Sequence, residues 1–380
     1  MYCPYCGHDK DASDFTYDHV IPRALGGNLR PTNPFKLPVC RRCNTLCGYF
    51  VDGPFVRSWF IHNARALAKH KYIDPESDIL PLTFMGQSTE WPEQLEVCDF
   101  WLGPTGDHIY HFHEPYPSEP VMVGQPLGIP EESLDPGCVM VLIVASNPFW
   151  HSIIAKSIKD EFEKSSIHYL NAAPEGLVAP YPPIAISHTR HLEWVNSFKP
   201  DGMRHVKFTT DITCTDRFMM KVALGLGSLA LAPDFIKSVE AEVLRKSLWT
   251  TDPKQRESLM IRGSSMFQQK PKYLTQILNW NDCHLIMLIP AKDTLFLMAN
   301  FFGQHLNQIE VSRSPAHWEE RIEQDGIAWI IAPGLRRFAG PITMPQFASQ
   351  KSGFGIWGEL KELQAHFDNA KKFPPFHLTE

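Results

Sequence analysis

Residues 17–27 read YDHVIPRALGG, and this stretch lies between two cysteine pairs, Cys3-x2-Cys6 and Cys40-x2-Cys43. Four thiolates in two close pairs are the ligand set of a tetrahedral structural zinc site. The 33 residues between the pairs exceed the spacing of a simple zinc ribbon, so the ion would close a substantial loop. The pattern therefore predicts a zinc-stapled N-terminal module that carries other important residues inside its loop.

Several motifs of this module occur together in one known family. The stretch at 17–27, the sequence CRRCN at 40–44, Gly48 and the Val-Asp pair at 51–52 resemble the zinc-containing subgroup of the HNH endonucleases. The resemblance covers residues 3–52. It implies a ββα-metal fold, in which a strand carries the Asp-His pair and the following helix carries an Asn.

The resemblance also implies roles for single residues in phosphodiester hydrolysis. His19 is suited to deprotonate a water molecule, because a neutral imidazole titrates near working pH. Asp18 and Asn44 offer the hard oxygen ligands that Mg²⁺ or Mn²⁺ prefers. Asn33 is the candidate for the middle Asn, which would orient His19 or the phosphate, and Asn28 is the alternative.

Charge is distributed unevenly along the chain. The formal net charge is −6, but residues 1–75 contain ten Lys and Arg against six Asp and Glu, so residues 76–380 carry the negative excess. A basic segment on an acidic body is typical of a protein in which one domain faces phosphate. Within that segment Arg23, Arg41 and Arg42 are candidates for nucleic-acid contacts.

A helix is predicted directly after the HNH motifs. Apolar residues recur at helical spacing from Pro54 to Tyr72. Asp52 is a candidate to cap this helix. Alternatively, it approaches the catalytic cation, since it lies about 80° from Asn44 on a continuous helix. The linker-like composition at 74–78 marks the first domain boundary.

Residues 76–380 predict an α+β accessory domain of unidentified type, with a subdivision near 173–183 as an option. The sequence indicates a hairpin around residues 103–107, a β-α unit at 138–162 and two helices at 217–231 and 234–248. Further strands are predicted at 283–289, 294–301 and 327–331. The expected fold class is therefore α+β, a zinc-stapled ββα-metal module joined to a larger α+β body.

Two weaker signals in the chain favour structural interpretations. The sequence Gly225-Leu226-Gly227 lies in an apolar helical run without the strand-turn context of a phosphate loop, so it indicates helix packing. Five cysteines lack metal-ligand spacing and are interpreted as structural, namely Cys47, Cys98, Cys138, Cys214 and Cys283.

Together these features predict a metal-dependent HNH endonuclease or nickase that hydrolyses DNA. Its cofactors would be structural Zn²⁺ and catalytic Mg²⁺ or Mn²⁺, and its main partner double-stranded DNA. The C-terminal part would provide specificity, oligomerisation, binding of a partner protein or regulation. The expected biological setting is anti-phage defence or restriction, and the expected compartment is the cytoplasm. One alternative is a zinc module that binds nucleic acid or a protein without catalysis. Another is a nuclease switched by a small-molecule or nucleotide signal that the C-terminal domain senses.

Overall fold

The computed structural model describes residues 1–30, 34–72, 79–92, 96–114, 137–144, 148–170, 188–198, 203–208, 212–250, 252, 254–255, 259, 262–355 and 357–370. The chain forms two compact units. Met1–Ala68 and Thr210–Lys371 make up the first, and Lys69–Thr209 belongs to the second. These units group residues differently from the sequence-based division into 1–75 and 76–380, which stays a prediction. The linker at 74–78 and the subdivision near 173–183 lie outside the described residues.

The N-terminal segment has a ββα arrangement. Strands β1 (Tyr2–Cys3) and β2 (His8–Asp9) form a short antiparallel pair, and β3 (Phe15–His19) pairs antiparallel with β4 (Lys36–Cys40). Helix α1 (Arg41–Cys47) begins directly after β4 and continues into a π-helical segment, Gly48–Asp52. The α+β class and the N-terminal HNH-type segment predicted from the sequence are confirmed.

The prediction of a single helix from Pro54 to Tyr72 is wrong in one respect, because the segment forms two helices. These are α2 (Gly53–Arg57) and α3 (Trp59–Lys71). Ser58 between them has an extended backbone conformation, with φ −57° and ψ 144°. Its Oγ donates a hydrogen bond of 2.7 Å to the carbonyl of Phe55, so this carbonyl is satisfied without another helical turn.

The unit Lys69–Thr209 is a six-stranded sheet with two described helices. Its elements are β5 (Thr83–Ser88), β6 (Val97–Leu102), β7 (His108–His113), β8 (Cys138–Leu142), α4 (Pro148–Glu161), β9 (Ser166–Tyr169), α5 (Thr189–Asn196) and β10 (Val206–Lys207). The strand order is β10-β5-β6-β7-β8-β9, and only β8 and β9 are parallel. This confirms both the hairpin around 103–107 and the β-α unit predicted from the sequence.

The part of the first unit that follows residue 210 contains several helices and a second six-stranded sheet. Its elements are α6 (Ile212–Ala230), α7 (Val239–Trp249), β11 (Gly263–Ser264), α8 (Lys272–Ile277), β12 (His284–Ala291), β13 (Thr294–Phe301), β14 (His305–Ser312), β15 (Ile327–Ala332), β16 (Arg337–Thr343), α9 (Met344–Lys351) and α10 (Gly358–Asn369). The sheet order is β11-β14-β13-β12-β15-β16, with antiparallel pairing throughout.

One hydrophobic core joins the N-terminal segment to this second sheet. Val20 and Phe55 belong to the same buried cluster as Phe218 and Val222 on α6 and Leu288 on β12. Helix α6 is therefore packed against the strands that carry the HNH motifs. Within the described part of the chain, no helix is long and apolar enough to cross a membrane.

Candidate functional site

The four paired cysteines lie together. The Sγ atoms of Cys3, Cys6, Cys40 and Cys43 are all within 4.8 Å of one another, and three of these side chains are buried. The backbone N–H of Cys40 donates to Sγ of Cys3 over 3.4 Å. The neighbouring Cys43 thiol lowers the pKa of Cys3 to about 4. Four close sulfurs, three of them on buried side chains, fit a structural zinc ion.

The strand β3 presents Asp18 and His19 with different exposure. Asp18 is 4% exposed, whereas His19 is half-buried, as alternation along a strand requires. Oδ2 of Asp18 accepts a hydrogen bond of 2.7 Å from the Tyr5 hydroxyl. Burial raises the pKa of Tyr5, so its hydroxyl stays protonated and keeps donating. Asp18 is thus held in place from the loop between β1 and β2.

His19 has an environment that favours the neutral imidazole. Partial burial lowers its pKa, and the positive charges of Arg23, Lys221 and Lys36 lower it further, while Asp18 opposes them. A neutral imidazole can accept a proton from water, which is what a general base must do.

Asn44 on α1 approaches the same strand. Its Nδ2 donates to the carbonyl of Tyr17 over 3.2 Å, so the amide is held beside the residue that precedes Asp18. With Nδ2 acting as the donor, Oδ1 is the oxygen that Asn44 can offer to a cation. Asn33 lies outside the described residues, and Asn28 is exposed just after a 3₁₀ turn at Arg23–Leu25. The choice between them stays a prediction.

A buried lysine that the sequence analysis did not select lies under this strand. Nζ of Lys221, on α6, is 3.1 Å from Oδ2 of Asp18 and 2.7 Å from Oδ2 of Asp52. Burial lowers the pKa of Lys221, but the two carboxylates outweigh it and leave the pKa above its ordinary value. The available signal was one lysine within the apolar run FMMKVALGLG at 218–227, since a charge in such a run must find a buried partner.

Of the two roles expected for Asp52, the structure contradicts helix capping. Asp52 has a helical backbone conformation, φ −69° and ψ −48°, and its side chain makes no capping hydrogen bond. The π-helical segment joins α1 and α2 into one continuous run, so there is no free N-terminus to cap. Its carboxylate binds Lys221 instead. Burial raises the pKa of Asp52 to about 6, although the Lys221 ammonium pulls it down.

Cationic and aromatic side chains are exposed around the site. Arg23, Arg41 and Arg42 are all exposed, as the predicted phosphate contacts require. Tyr17 is 58% exposed, and Nζ of Lys36 lies 4.3 Å from the centre of its ring. Lys36 is directly opposite His19 in the β3–β4 register. This surface suits a polyanion with planar groups.

Comparison with known proteins gives one family match for the N-terminal segment. No curated protein matches the chain, and no solved structure does. Residues 3–60 match the family model described as HNH endonuclease. This span contains all four clustered cysteines, Asp18, His19 and Asn44. The N-terminal segment of the chain is therefore an HNH endonuclease segment with a cysteine cluster that fits zinc.

Proposed function

We propose that the protein is a metal-dependent endonuclease or nickase that hydrolyses DNA phosphodiester bonds at the HNH segment. The observation that carries this proposal is the placement of His19 and Asp18 at the end of β3, with Asn44 hydrogen-bonded to the same strand. A base and two oxygen ligands beside one strand are the parts that metal-assisted hydrolysis needs.

In this proposal His19 takes a proton from the attacking water. Its lowered pKa keeps the ring neutral and able to accept that proton. Arg23, Arg41 and Arg42 hold the phosphates on either side of the scissile bond, and Asn33 orients His19 or the phosphate. The exposed ring of Tyr17 contacts a sugar or base.

Asp18 and Asn44 are the proposed ligands of a Mg²⁺ or Mn²⁺ ion. The Tyr5 hydroxyl and the Lys221 ammonium both contact Oδ2 of Asp18, so Oδ1 is the oxygen proposed for the cation. A bound divalent cation would neutralise charge on the phosphate and beside the leaving oxygen. The residues of the chain provide the position, the proton acceptor and the phosphate contacts.

A second function, nucleic-acid binding without cleavage, is favoured by one specific observation. The Asp18 carboxylate is buried and ion-paired with Lys221, which reduces its capacity to bind a cation. In either case we propose that the remainder of the chain contributes target choice, assembly or control, in a genome-defence setting.

The test is incubation of the purified chain with supercoiled plasmid and Mg²⁺ or Mn²⁺, with a metal-free arm as the control. Nicked or linear product that needs the added metal supports the proposal, and the form of the product separates a nickase from a double-strand nuclease. DNA binding without cleavage in every metal supports the second function. A matched RNA substrate in the same assay decides between the two nucleic acids.

A further inference from the structure

The hydrogen bonds and ion pairs of the Lys221 ammonium are made with the HNH segment. Its side chain is completely buried on α6. The ammonium donates to the carbonyl of His19 over 3.1 Å, to Oδ1 and Oδ2 of Asp52 over 3.0 and 2.7 Å, and lies 3.1 Å from Oδ2 of Asp18. A lysine ammonium has three N–H donors, and the three acceptor groups here match that number.

The same face of α6 touches the strand again one turn later. A Cβ atom added to Gly225 would lie 2.6 Å from both methyl carbons of Val20, the residue after His19. Such a distance is shorter than van der Waals contact, so a larger residue at this position would require a shift of the Val20 side chain or of the backbone. Residues i and i+4 share a helix face, so the face of α6 that carries Lys221 and Gly225 contacts both His19 and Val20.

We infer that Lys221 is a positioning residue of the nuclease site, which fixes the end of β3 through the His19 carbonyl and the Asp18 carboxylate. This inference rests on the proposed function. Lys221 is 202 residues from His19 in sequence, so the site is completed by a part of the chain far outside the HNH segment. Lys221 does not touch the reacting atoms. It acts by setting the position of His19, and a misplacement of about 1 Å can cost about a hundredfold in rate.

Helix α6 also supplies a matched control. Arg217 is one turn before Lys221, is also buried, and donates from Nε to the carbonyl of Leu248 on α7 over 2.9 Å. Replacement of either cation by Met removes a buried charge from the same helix. The Lys221 substitution removes contacts with His19 and Asp18 in β3, whereas the Arg217 substitution removes a hydrogen bond to α7. A general loss of stability therefore affects both variants, whereas a loss of positioning affects only one.

The experiment compares wild type, Lys221→Met and Arg217→Met as full chains with zinc bound. Single-turnover cleavage at saturating DNA, the Kd for DNA, zinc content and hydrogen exchange of residues 15–20 are measured. For Lys221→Met we expect cleavage at least about tenfold slower, with a Kd within about twofold of wild type and faster exchange in β3. Arg217→Met should keep the wild-type rate and the wild-type exchange of β3.

Lys221→Met leaves Asp18 and Asp52 without their counter-charge, which is strongly destabilising. Lys221→Met with Asp52→Asn removes one of these charges and serves as the second variant, with the same slow cleavage expected. Wild-type cleavage by a folded, zinc-containing variant of either kind would overturn the inference. Exchange in wild-type β3 much faster than in α6 would also overturn it. A wild-type chain that cuts no DNA, with β3 exchange still dependent on Lys221, would refute the proposed function while the structural link stood.

Discussion

The ring of Phe55 stacks on the ring of Phe218, with centroids 3.8 Å apart and ring planes within 5° of parallel. Phe55 is in α2, directly after the HNH motifs, and Phe218 is in α6. Phe301 of the second sheet packs edge-on against both rings, at 5.2 and 5.7 Å. Among the described residues, buried apolar side chains of the N-terminal segment thus share one core with those of α6 and the second sheet.

The first prediction is that residues 1–72 expressed alone lose stability and activity. The fragment lacks Phe218, Phe301 and Lys221, so it exposes Phe55 and leaves two buried carboxylates without their cation. We expect it to bind zinc but to show no cooperative thermal transition by circular dichroism. A fragment that melts cooperatively and cuts DNA as fast as the full chain would contradict this prediction.

The parts of the site that are close in sequence were predictable. The two cysteine pairs predicted a four-thiolate cluster, and the structure places their sulfurs together. The resemblance to the HNH family implied a helix that carries Asn44, and α1 is this helix. Ligand spacing and local secondary structure decide these features, so the sequence pattern is sufficient for them.

Other features depend on contacts between distant residues, and the sequence could not supply them. Lys221 contacts Asp52 and Asp18, which are 169 or more residues away in sequence, and no local pattern identifies such partners. Strand β14 was missed because it is not an apolar run, since Asn307, Glu310 and Ser312 are buried among its apolar residues. The expected capping by Asp52 failed because the π-helical segment continues into α2 without a break.

The second prediction concerns zinc. The purified chain should contain one tightly bound zinc ion, and Cys3→Ser with Cys40→Ser should abolish it and lower the melting temperature. Cys283→Ser is the control, since this buried cysteine is outside the cluster and should leave zinc content unchanged. Metal analysis by mass spectrometry measures the content. Full zinc occupancy in the double variant would refute the proposed structural zinc site.

The third prediction concerns phosphate contacts. Arg41→Gln with Arg42→Gln should weaken DNA binding at all sequences and reduce the slope of log Kd against log salt by about two. Lys292→Gln, an exposed lysine in the turn between β12 and β13, is the control and should leave the slope unchanged. Fluorescence anisotropy at several salt concentrations gives the slope. An unaltered slope in the double arginine variant would remove these residues from the interface.

The fourth prediction is a pH dependence of stability from His284, which is completely buried in β12. Its Nδ1 accepts a hydrogen bond of 3.2 Å from the backbone N–H of Phe302, and burial lowers its pKa from 6.5 to about 3. Below pH 6.5 the unfolded chain binds a proton that the folded chain does not. This contribution to stability is therefore complete above pH 6.5 and is lost as the pH falls towards 3.

The test for His284 is the substitution His284→Asn, which retains an acceptor for Phe302 but cannot titrate. We expect the free energy of unfolding to depend less on pH in the variant, by up to about 1.4 kcal/mol per pH unit between about pH 6 and 4. Denaturant unfolding of both proteins at matched pH measures the difference. The proposed zinc site is the same in both proteins, so its own pH dependence cancels in the comparison. Equal slopes for the two proteins would be evidence that His284 is protonated in the folded chain.

The most direct measurement is single-turnover cleavage of plasmid DNA by wild type and His19→Ala under the same metal conditions. His19 is the proposed base and is not one of the clustered cysteines, so the variant should retain zinc, fold and DNA affinity. We predict a cleavage rate lower by about a hundredfold or more. Cleavage by His19→Ala at the wild-type rate would contradict the proposed role of this residue and the assignment of the catalytic site.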